Sequence, residues 1–143
     1  MKKIVIASGY FNPLHFGHIK YLRGASLLGS ELIVIVNSDG QVRMKGNTPF
    51  MSLKERMEII RELKCVDYVV ASIDNDKTQR KSIRFLGELI GERNILIFAK
   101  GGDSTRENTP ELSICKKYNI DVRFGVGGEK IQSSSWLIKG KKC

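Results

Sequence analysis

Two histidines, His15 and His18, are the residues whose spacing points most directly to chemistry. They end the stretch Gly9–His18, which separates a short apolar run at 4–7 from the start of a helical pattern. At positions i and i+3 on the first turn of a helix, both imidazoles face the same side. Backbone N–H groups at a helix N-terminus also attract anions. The spacing therefore predicts a turn that binds phosphate groups.

Three further segments carry polar groups that suit a phosphorylated ligand. Lys45 lies near the end of the stretch 37–46, which we interpret as a basic loop after the second predicted strand. Gly101 and Asp103 belong to a Lys-Gly-Gly-Asp turn, where the backbone can lie close to a ring and the carboxylate can bind sugar hydroxyls. A second anion site is predicted at a C-terminal helix start that contains Ser133, Ser134 and Ser135.

Size and composition are those of an ordinary globular protein. The 143 residues suit one domain over 1–143, with 41% hydrophobic and 27% charged residues. The net charge of +9 favours anionic partners, but the basic residues are dispersed and carry no RNA-binding signature. We therefore favour a small phosphorylated ligand and consider nucleic acid unlikely.

The cysteines and the apolar runs bear on the cellular compartment. Cys65, Cys115 and Cys143 lack the spacing of a metal site, which favours free thiols in a reducing environment. No apolar run approaches the roughly 18–20 residues of a membrane span. The apolar run at 4–7 is too short for the hydrophobic region of a signal peptide. These features predict a cytoplasmic protein.

Apolar runs rich in valine and isoleucine alternate with helical patterns along the chain. This alternation predicts an α/β fold: a single domain with a Rossmann-like, doubly wound parallel sheet of about five strands. The predicted strands are Ile4–Ala7, Leu32–Val36, Tyr68–Ala71, Ile95–Ala99 and Val122–Phe124. The predicted helices are Phe16–Leu28, Leu53–Leu63, Lys81–Ile90, Pro110–Lys117 and Ser134–Lys139. Ser52 and Thr109 are predicted to cap the second and fourth helices.

These segments, in this order, resemble the nucleotidyltransferases of the cytidylyltransferase type, which share a His-x-Gly-His motif. The resemblance rests on Gly9–His18, the stretches 49–59 and 65–70, the Lys-Gly-Gly-Asp turn and the serine-rich helix start. Glycerol-3-phosphate cytidylyltransferases and heptose-phosphate adenylyltransferases look most similar. The resemblance implies a Rossmann-like fold, a homodimer, and Mg²⁺ bound with the nucleoside triphosphate.

The resemblance also implies roles for individual residues. His15, His18 and Lys45 would be catalytic, and Arg56 would bind the phosphorylated acceptor. Nucleotide binding is implied for Tyr10, Phe11, Asn12, Gly17, Gly101, Asp103, Lys130, Ser133, Ser134 and Ser135. Lys130 stands where relatives carry an arginine.

The reaction implied by the resemblance moves a CMP or AMP group from CTP or ATP to a phosphorylated alcohol or sugar, with release of pyrophosphate. Transfer of CMP, as in glycerol-3-phosphate cytidylyltransferases, is the main expectation. Asn12-Pro13 is similar to the adenylyltransferase relatives, so transfer of AMP to a sugar phosphate or a cofactor precursor stays open. An inactive nucleotide-binding module is the alternative of another class.

Overall fold

The computed structural model describes residues 1–128, in which five strands alternate with helices. The strands are β1 (Lys2–Gly9), β2 (Glu31–Val36), β3 (Tyr68–Ala71), β4 (Asn94–Gly101) and β5 (Asp121–Val126). The helices are α1 (Phe16–Ser26), α2 (Asp39–Met44), α3 (Leu53–Arg61), α4 (Arg80–Ile90) and α5 (Leu112–Lys117). The predicted helix at 134–139 lies outside the described residues, as do Lys130 and the three serines.

The strands form one parallel sheet in the order β3-β2-β1-β4-β5. Strand order reverses between β1 and β4, since β2 and β3 lie on one side of β1 while β4 and β5 lie on the other. Such a reversal opens a crevice at the carboxyl ends of the two central strands, where α/β sheets bind ligands. The predicted Rossmann-like parallel sheet of five strands is confirmed.

Two apolar layers cover the sheet, because successive residues of a strand face opposite sides. On one side, Val5 and Ala7 of β1 pack with Leu22 of α1 and Ile60 of α3. On the other side, Ile4 and Ile6 of β1 pack with residues of α4 and α5, namely Ile83, Leu86 and Cys115. The central strands are buried on both faces, as their continuous valine and isoleucine runs predict.

The stretch after β2 is a helix, not the loop that the sequence analysis predicted. Ser38 is the N-cap: its hydroxyl accepts the Gln41 N–H at 3.1 Å, and the Gln41 side chain accepts the Ser38 N–H at 2.9 Å. This reciprocal pair is a capping box of the Ser-x-x-Gln form, which was overlooked because Gly40 weakens the helical pattern. Lys45 is the C-cap residue of this short helix.

The start of α5 also differs from the prediction. The Thr109 hydroxyl donates back to the Thr105 carbonyl oxygen at 2.6 Å and so does not cap the helix. The helix begins at Leu112, with Glu111 at the N-cap position. The Ser52 cap of α3 is confirmed, since its hydroxyl oxygen accepts the Glu55 N–H at 3.3 Å. None of the helices within residues 1–128 has the length and apolar character needed to cross a membrane.

Candidate functional site

A cleft of about 340 Å³ opens at the carboxyl ends of β1 and β4, where the strand order reverses. Its volume is at the lower end of the range for small-molecule sites. Among the residues predicted from the sequence, those that line the cleft are Tyr10, His15, Gly17, His18, Lys45, Gly101 and Asp103. Loops that are far apart along the chain therefore converge there, as expected for a doubly wound sheet.

His15 and His18 stack in the first turn of α1, with ring centroids 3.7 Å apart. The His15 backbone N–H donates to His18 Nδ1 at 3.1 Å, so that Nδ1 is the acceptor nitrogen of this imidazole. In a neutral imidazole the proton then lies on Nε2. Phe11 packs edge-on against the His18 ring, with centroids 4.9 Å apart. His18 is thus oriented to donate Nε2–H to a ligand at the helix N-terminus.

Tyr21 joins the two central strands at the point where they separate. The last register pair between β1 and β4 is Ile6 with Phe98. Beyond it, the Tyr21 hydroxyl donates to the Ala99 carbonyl oxygen at 2.6 Å and accepts the Ser8 N–H at 3.2 Å. Burial raises the pKa of this phenol, which therefore stays protonated. The side chain satisfies two backbone groups that strand pairing no longer reaches.

Close packing requires the first glycine of the predicted Lys-Gly-Gly-Asp turn, Gly101. A Cβ atom on Gly101 would lie 2.7 Å from Tyr21 Cδ1 and 3.0 Å from the Val126 carbonyl oxygen. Both distances are shorter than ordinary van der Waals contact, so a larger residue would displace the turn. Asp103, two residues further on, is exposed and lines the cleft.

Positive charge dominates the cleft. Lys45 Nζ lies 4.4 Å from the centroid of the Tyr10 ring, a cation–π contact that holds the end of α2 against the loop after β1. Burial raises the pKa of Tyr10, so its ring stays neutral. Three more lysines line the cleft: Lys20, Lys77 and Lys100. A site with this excess of cations attracts polyanions.

Asn12 and Phe11 are buried and shape the loop after β1 without lining the cleft. The Asn12 amide donates to the Thr48 carbonyl oxygen at 3.0 Å and accepts the Phe50 N–H at 2.5 Å. Phe11 is 1% exposed and adopts a φ of 49°, which turns the chain sharply. Their contacts favour a structural role over direct nucleotide binding.

Arg56 is fully buried, although the sequence analysis assigns it to the phosphorylated acceptor. Its guanidinium donates to three carbonyl oxygens and one carboxylate: Tyr10 at 2.7 Å, Asn37 at 2.8 Å, Met51 at 3.1 Å and Asp39 at 2.6 Å. It does not line the cleft. These contacts favour a positioning role, because Arg56 joins the loop that carries Tyr10 to the start of α2, the helix that Lys45 caps.

Two buried polar residues of the cleft were not found from the sequence. Gln79 and Glu111 are each 4% exposed, and the Gln79 N–H donates to Glu111 Oε2 at 2.8 Å. They lie at the N-cap positions of α4 and α5, and both line the cleft together with Lys77. Neither residue belongs to a local motif, since only the sheet order brings them together.

The predicted free thiols agree with the described part of the chain, where Cys65 and Cys115 form no disulfide. Burial, with a smaller contribution from neighbouring Glu111, raises the pKa of Cys115 to about 12, and Lys100 opposes the shift. Burial also raises the pKa of Cys65. Neither thiol is therefore suited to act as a nucleophile.

A parallel sheet with a cationic cleft and a histidine-bearing helix start at its switch point defines an α/β domain built to bind nucleotides. The cytidylyltransferase-like family profile matches residues 6–138, which is most of the chain. The chain therefore belongs to the cytidylyltransferase-like family.

Similar curated proteins include one named as a heptose 1-phosphate adenylyltransferase and several named bifunctional protein HldE. The chain is 35% identical to the D-beta-D-heptose 1-phosphate adenylyltransferase of Bordetella bronchiseptica, over 82% of this chain and 68% of that protein. It is 38% identical to the bifunctional protein HldE of Streptomyces coelicolor, over 80% of this chain and 23% of that protein. The chain spans about a quarter of the length of these bifunctional relatives.

Solved structures share the fold. A lipopolysaccharide core biosynthesis protein from Thermoplasma volcanium superposes with a TM-score of 0.66 at 29% identity, covering 87% of this chain and 95% of that chain. A nicotinate-nucleotide adenylyltransferase described as putative, from Vibrio parahaemolyticus, has a TM-score of 0.60 at 17% identity, covering 99% and 90% of the two chains. At that identity the second likeness concerns the fold alone.

Proposed function

We propose that this chain transfers the adenylyl group of ATP to a sugar phosphate, with release of pyrophosphate. This choice favours the adenylyltransferase alternative over cytidylyl transfer to glycerol 3-phosphate, which was the main expectation from the sequence. The named heptose 1-phosphate adenylyltransferase covers most of the chain at 35% identity and supports ATP and a sugar phosphate as substrates. Asn12-Pro13 supports the same choice.

The orientation of His18 is the observation that best supports phosphate transfer in this cleft. Its Nδ1 accepts a backbone N–H, which leaves Nε2–H as the hydrogen-bond donor toward the cleft at the N-terminus of α1. An oxygen of the acceptor phosphate attacks the α-phosphorus of ATP, and the bond from that phosphorus to the bridging β-oxygen breaks. The acceptor phosphate is already ionised near neutral pH, so the protein supplies positioning and charge neutralisation.

Several sequence predictions complete this proposal. His15 and Lys45 would contact the reacting phosphates beside His18, and Asp103 would lie near the nucleoside. Mg²⁺ would be held mainly by the triphosphate and would neutralise its oxygens; Asp103 is a cleft carboxylate that fits, because nucleotide-bound Mg²⁺ needs only one or two. Contacts from Lys130 and the serines at 133–135 to the β- and γ-phosphates remain predictions, as does the homodimer.

A pyrophosphate-release assay tests the proposal. It crosses ATP and CTP with hexose and heptose 1-phosphates and with glycerol 3-phosphate. We expect turnover with ATP and a sugar 1-phosphate. Turnover limited to CTP and glycerol 3-phosphate would restore the cytidylyltransferase reading, and no release in any combination would favour an inactive nucleotide-binding module.

The variant His18→Asn isolates the donor. An asparagine side chain can still accept the His15 N–H near the position of Nδ1, but it has no group at the position of Nε2. We expect turnover to fall by about 10²-fold or more, the scale for one preorganised donor, with little change in melting temperature. Wild-type turnover in this variant would refute the role of His18.

A further inference from the structure

Two oxygen atoms in the cleft wall are buried without a hydrogen-bond donor. Among residues 1–128, Glu111 Oε1 and Gln79 Oε1 have no hydrogen-bond partner. Their residues are each 4% exposed and both line the cleft. Buried polar atoms are nearly always paired, and an unpaired one is costly. The cost is explained if a ligand in the cleft completes these hydrogen bonds.

The backbone at the start of α4 is held in place by the surrounding structure. Glu111 Oε2 accepts the Gln79 N–H at 2.8 Å, which fixes the two residues to each other. Asp74 accepts the N–H groups of Lys81 and Ser82 at 2.7 and 3.0 Å, which fixes the first turn of α4 behind Gln79. This turn is therefore in place before any ligand arrives, so binding does not have to order it.

Buried Gln41 supports the loop that precedes Gln79. Its side-chain amide donates to the carbonyl oxygens of Asp76 and Thr78 at 2.8 and 3.1 Å. Gln41 belongs to α2, the helix that Lys45 caps, so the lysine and the loop are held by the same element. The arrangement connects the phosphate-binding lysine to the unpaired oxygens.

The pair lies on the face of the sheet opposite to the two histidines. Gln79 and Glu111 begin α4 and α5, which pack on the layer formed by Ile4 and Ile6. The histidines begin α1, which packs on the other layer. A ligand that contacts both groups spans the carboxyl edge of the sheet.

The chemistry of the pair selects hydroxyl groups. Carboxylate and amide oxygens accept hydrogen bonds, so their ligand must donate. Residues 1–128 contain no group of three or more candidate metal ligands, so Glu111 is not part of a site in which side chains alone hold a metal ion. A phosphorylated compound with several hydroxyls suits both kinds of group in the cleft. Its phosphate contacts the lysines, and its hydroxyls donate to the two oxygens.

We infer that Glu111 and Gln79 are specificity-determining residues that accept hydrogen bonds from the hydroxyl groups of a sugar-phosphate ligand. This inference rests on the proposed function for the reaction that the ligand enters. A small side-chain adjustment, common when ligands bind, brings the oxygens to the cleft surface. The pair therefore distinguishes a sugar phosphate from inorganic phosphate, which offers no such hydroxyls.

Calorimetric titration of the full chain tests the inference without turnover. Glucose 1-phosphate, mannose 1-phosphate and a heptose 1-phosphate are titrated in parallel with inorganic phosphate. The measured quantity is the ratio of the dissociation constants of inorganic phosphate and each sugar phosphate. In the wild type we expect at least one sugar phosphate to be preferred by roughly tenfold or more, the scale of a hydrogen bond to a charged group.

Two variants change the pair in different ways. Glu111→Gln can keep one oxygen for the Gln79 N–H and present an amide donor in place of the other oxygen. Gln79→Met removes the amide oxygen at similar length and leaves the backbone N–H in place. We expect each variant to lower the preference by roughly tenfold or more while leaving ATP affinity unchanged. The matched control Glu62→Gln lies at an exposed position and should change neither.

The outcomes separate the two proposals. A wild type without preference for any sugar phosphate, or variants that keep the full preference, would overturn the inference. Binding of Mg²⁺ alone that is lost in Glu111→Gln would overturn it in favour of a cation site. A preference that depends on Glu111, in a protein that releases no pyrophosphate, would uphold the inference and refute the proposed function.

Discussion

Replacing Arg56 by lysine separates a positioning role from a substrate-binding role. Lysine keeps the positive charge but has one nitrogen where arginine has three, so it cannot reproduce the contacts to three carbonyl oxygens and to Asp39. We expect two acceptors to lose their donor. At about 1–2 kcal/mol for each unsatisfied group, the lower part of the usual range, the free energy of unfolding should fall by about 2–4 kcal/mol.

This loss is large compared with the ~5–15 kcal/mol by which domains are stable. For a chain of this size it corresponds to a decrease in melting temperature of roughly 6–15 °C. Thermal unfolding of the protein without ligands, followed by circular dichroism, measures it. Asp39 is partly exposed, so water can replace the arginine at that carboxylate, and the carbonyl oxygens account for most of the loss.

The matched control is Arg61→Lys in the same helix. Arg61 is exposed and, within residues 1–128, pairs with Glu58 at 2.6 Å, so its replacement should change the stability by less than about 0.5 kcal/mol. If Arg56→Lys kept the wild-type melting temperature but raised the KM for the phosphorylated acceptor, the positioning argument would be refuted. The residue would then contact substrate, as the family resemblance implies.

Two further predictions concern buried side chains near the cleft. Tyr21→Phe leaves the Ala99 carbonyl and the Ser8 N–H without their shared partner. We therefore expect the free energy of unfolding, measured by urea titration, to fall by about 2–4 kcal/mol. A change below about 0.5 kcal/mol would contradict the strand-joining role. Cys115 is 1% exposed, and its pKa is raised to about 12, mainly by burial. Iodoacetamide at pH 8 should therefore label this thiol only after unfolding, as measured by peptide mass spectrometry. Rapid labelling of the native protein would contradict the burial.

Local sequence signals were sufficient for the strand–turn–helix unit that begins the chain. The apolar run, the turn and the two histidines at a spacing of three all act over neighbouring residues, and the structure places both histidines at the cleft. The cap of α3 was found for the same reason, because the Ser52 hydroxyl accepts the Glu55 N–H within one turn. The capping box at Ser38 was equally local but was overlooked beside a glycine.

Contacts between distant loops could not be found in this way. Gln79 and Glu111 are separated by 32 residues and meet only because α4 and α5 begin at the same edge of the sheet. Arg56 looked like a surface arginine, and its burial depends on carbonyl oxygens from three separate loops. Charge and residue type alone do not tell whether a polar side chain faces solvent, a ligand or the backbone.

The sequence by itself determined the class of fold, the family and the histidine-bearing start of α1, because periodicity, capping and a tight turn are properties of neighbouring residues. The tertiary structure decided which side chains share the cleft and which ones support it. Strand order is set by packing of the whole sheet. That order places the Tyr21 hydroxyl between two separating strands. It also brings the unpaired oxygens of Glu111 and Gln79 to the cleft that the lysines line.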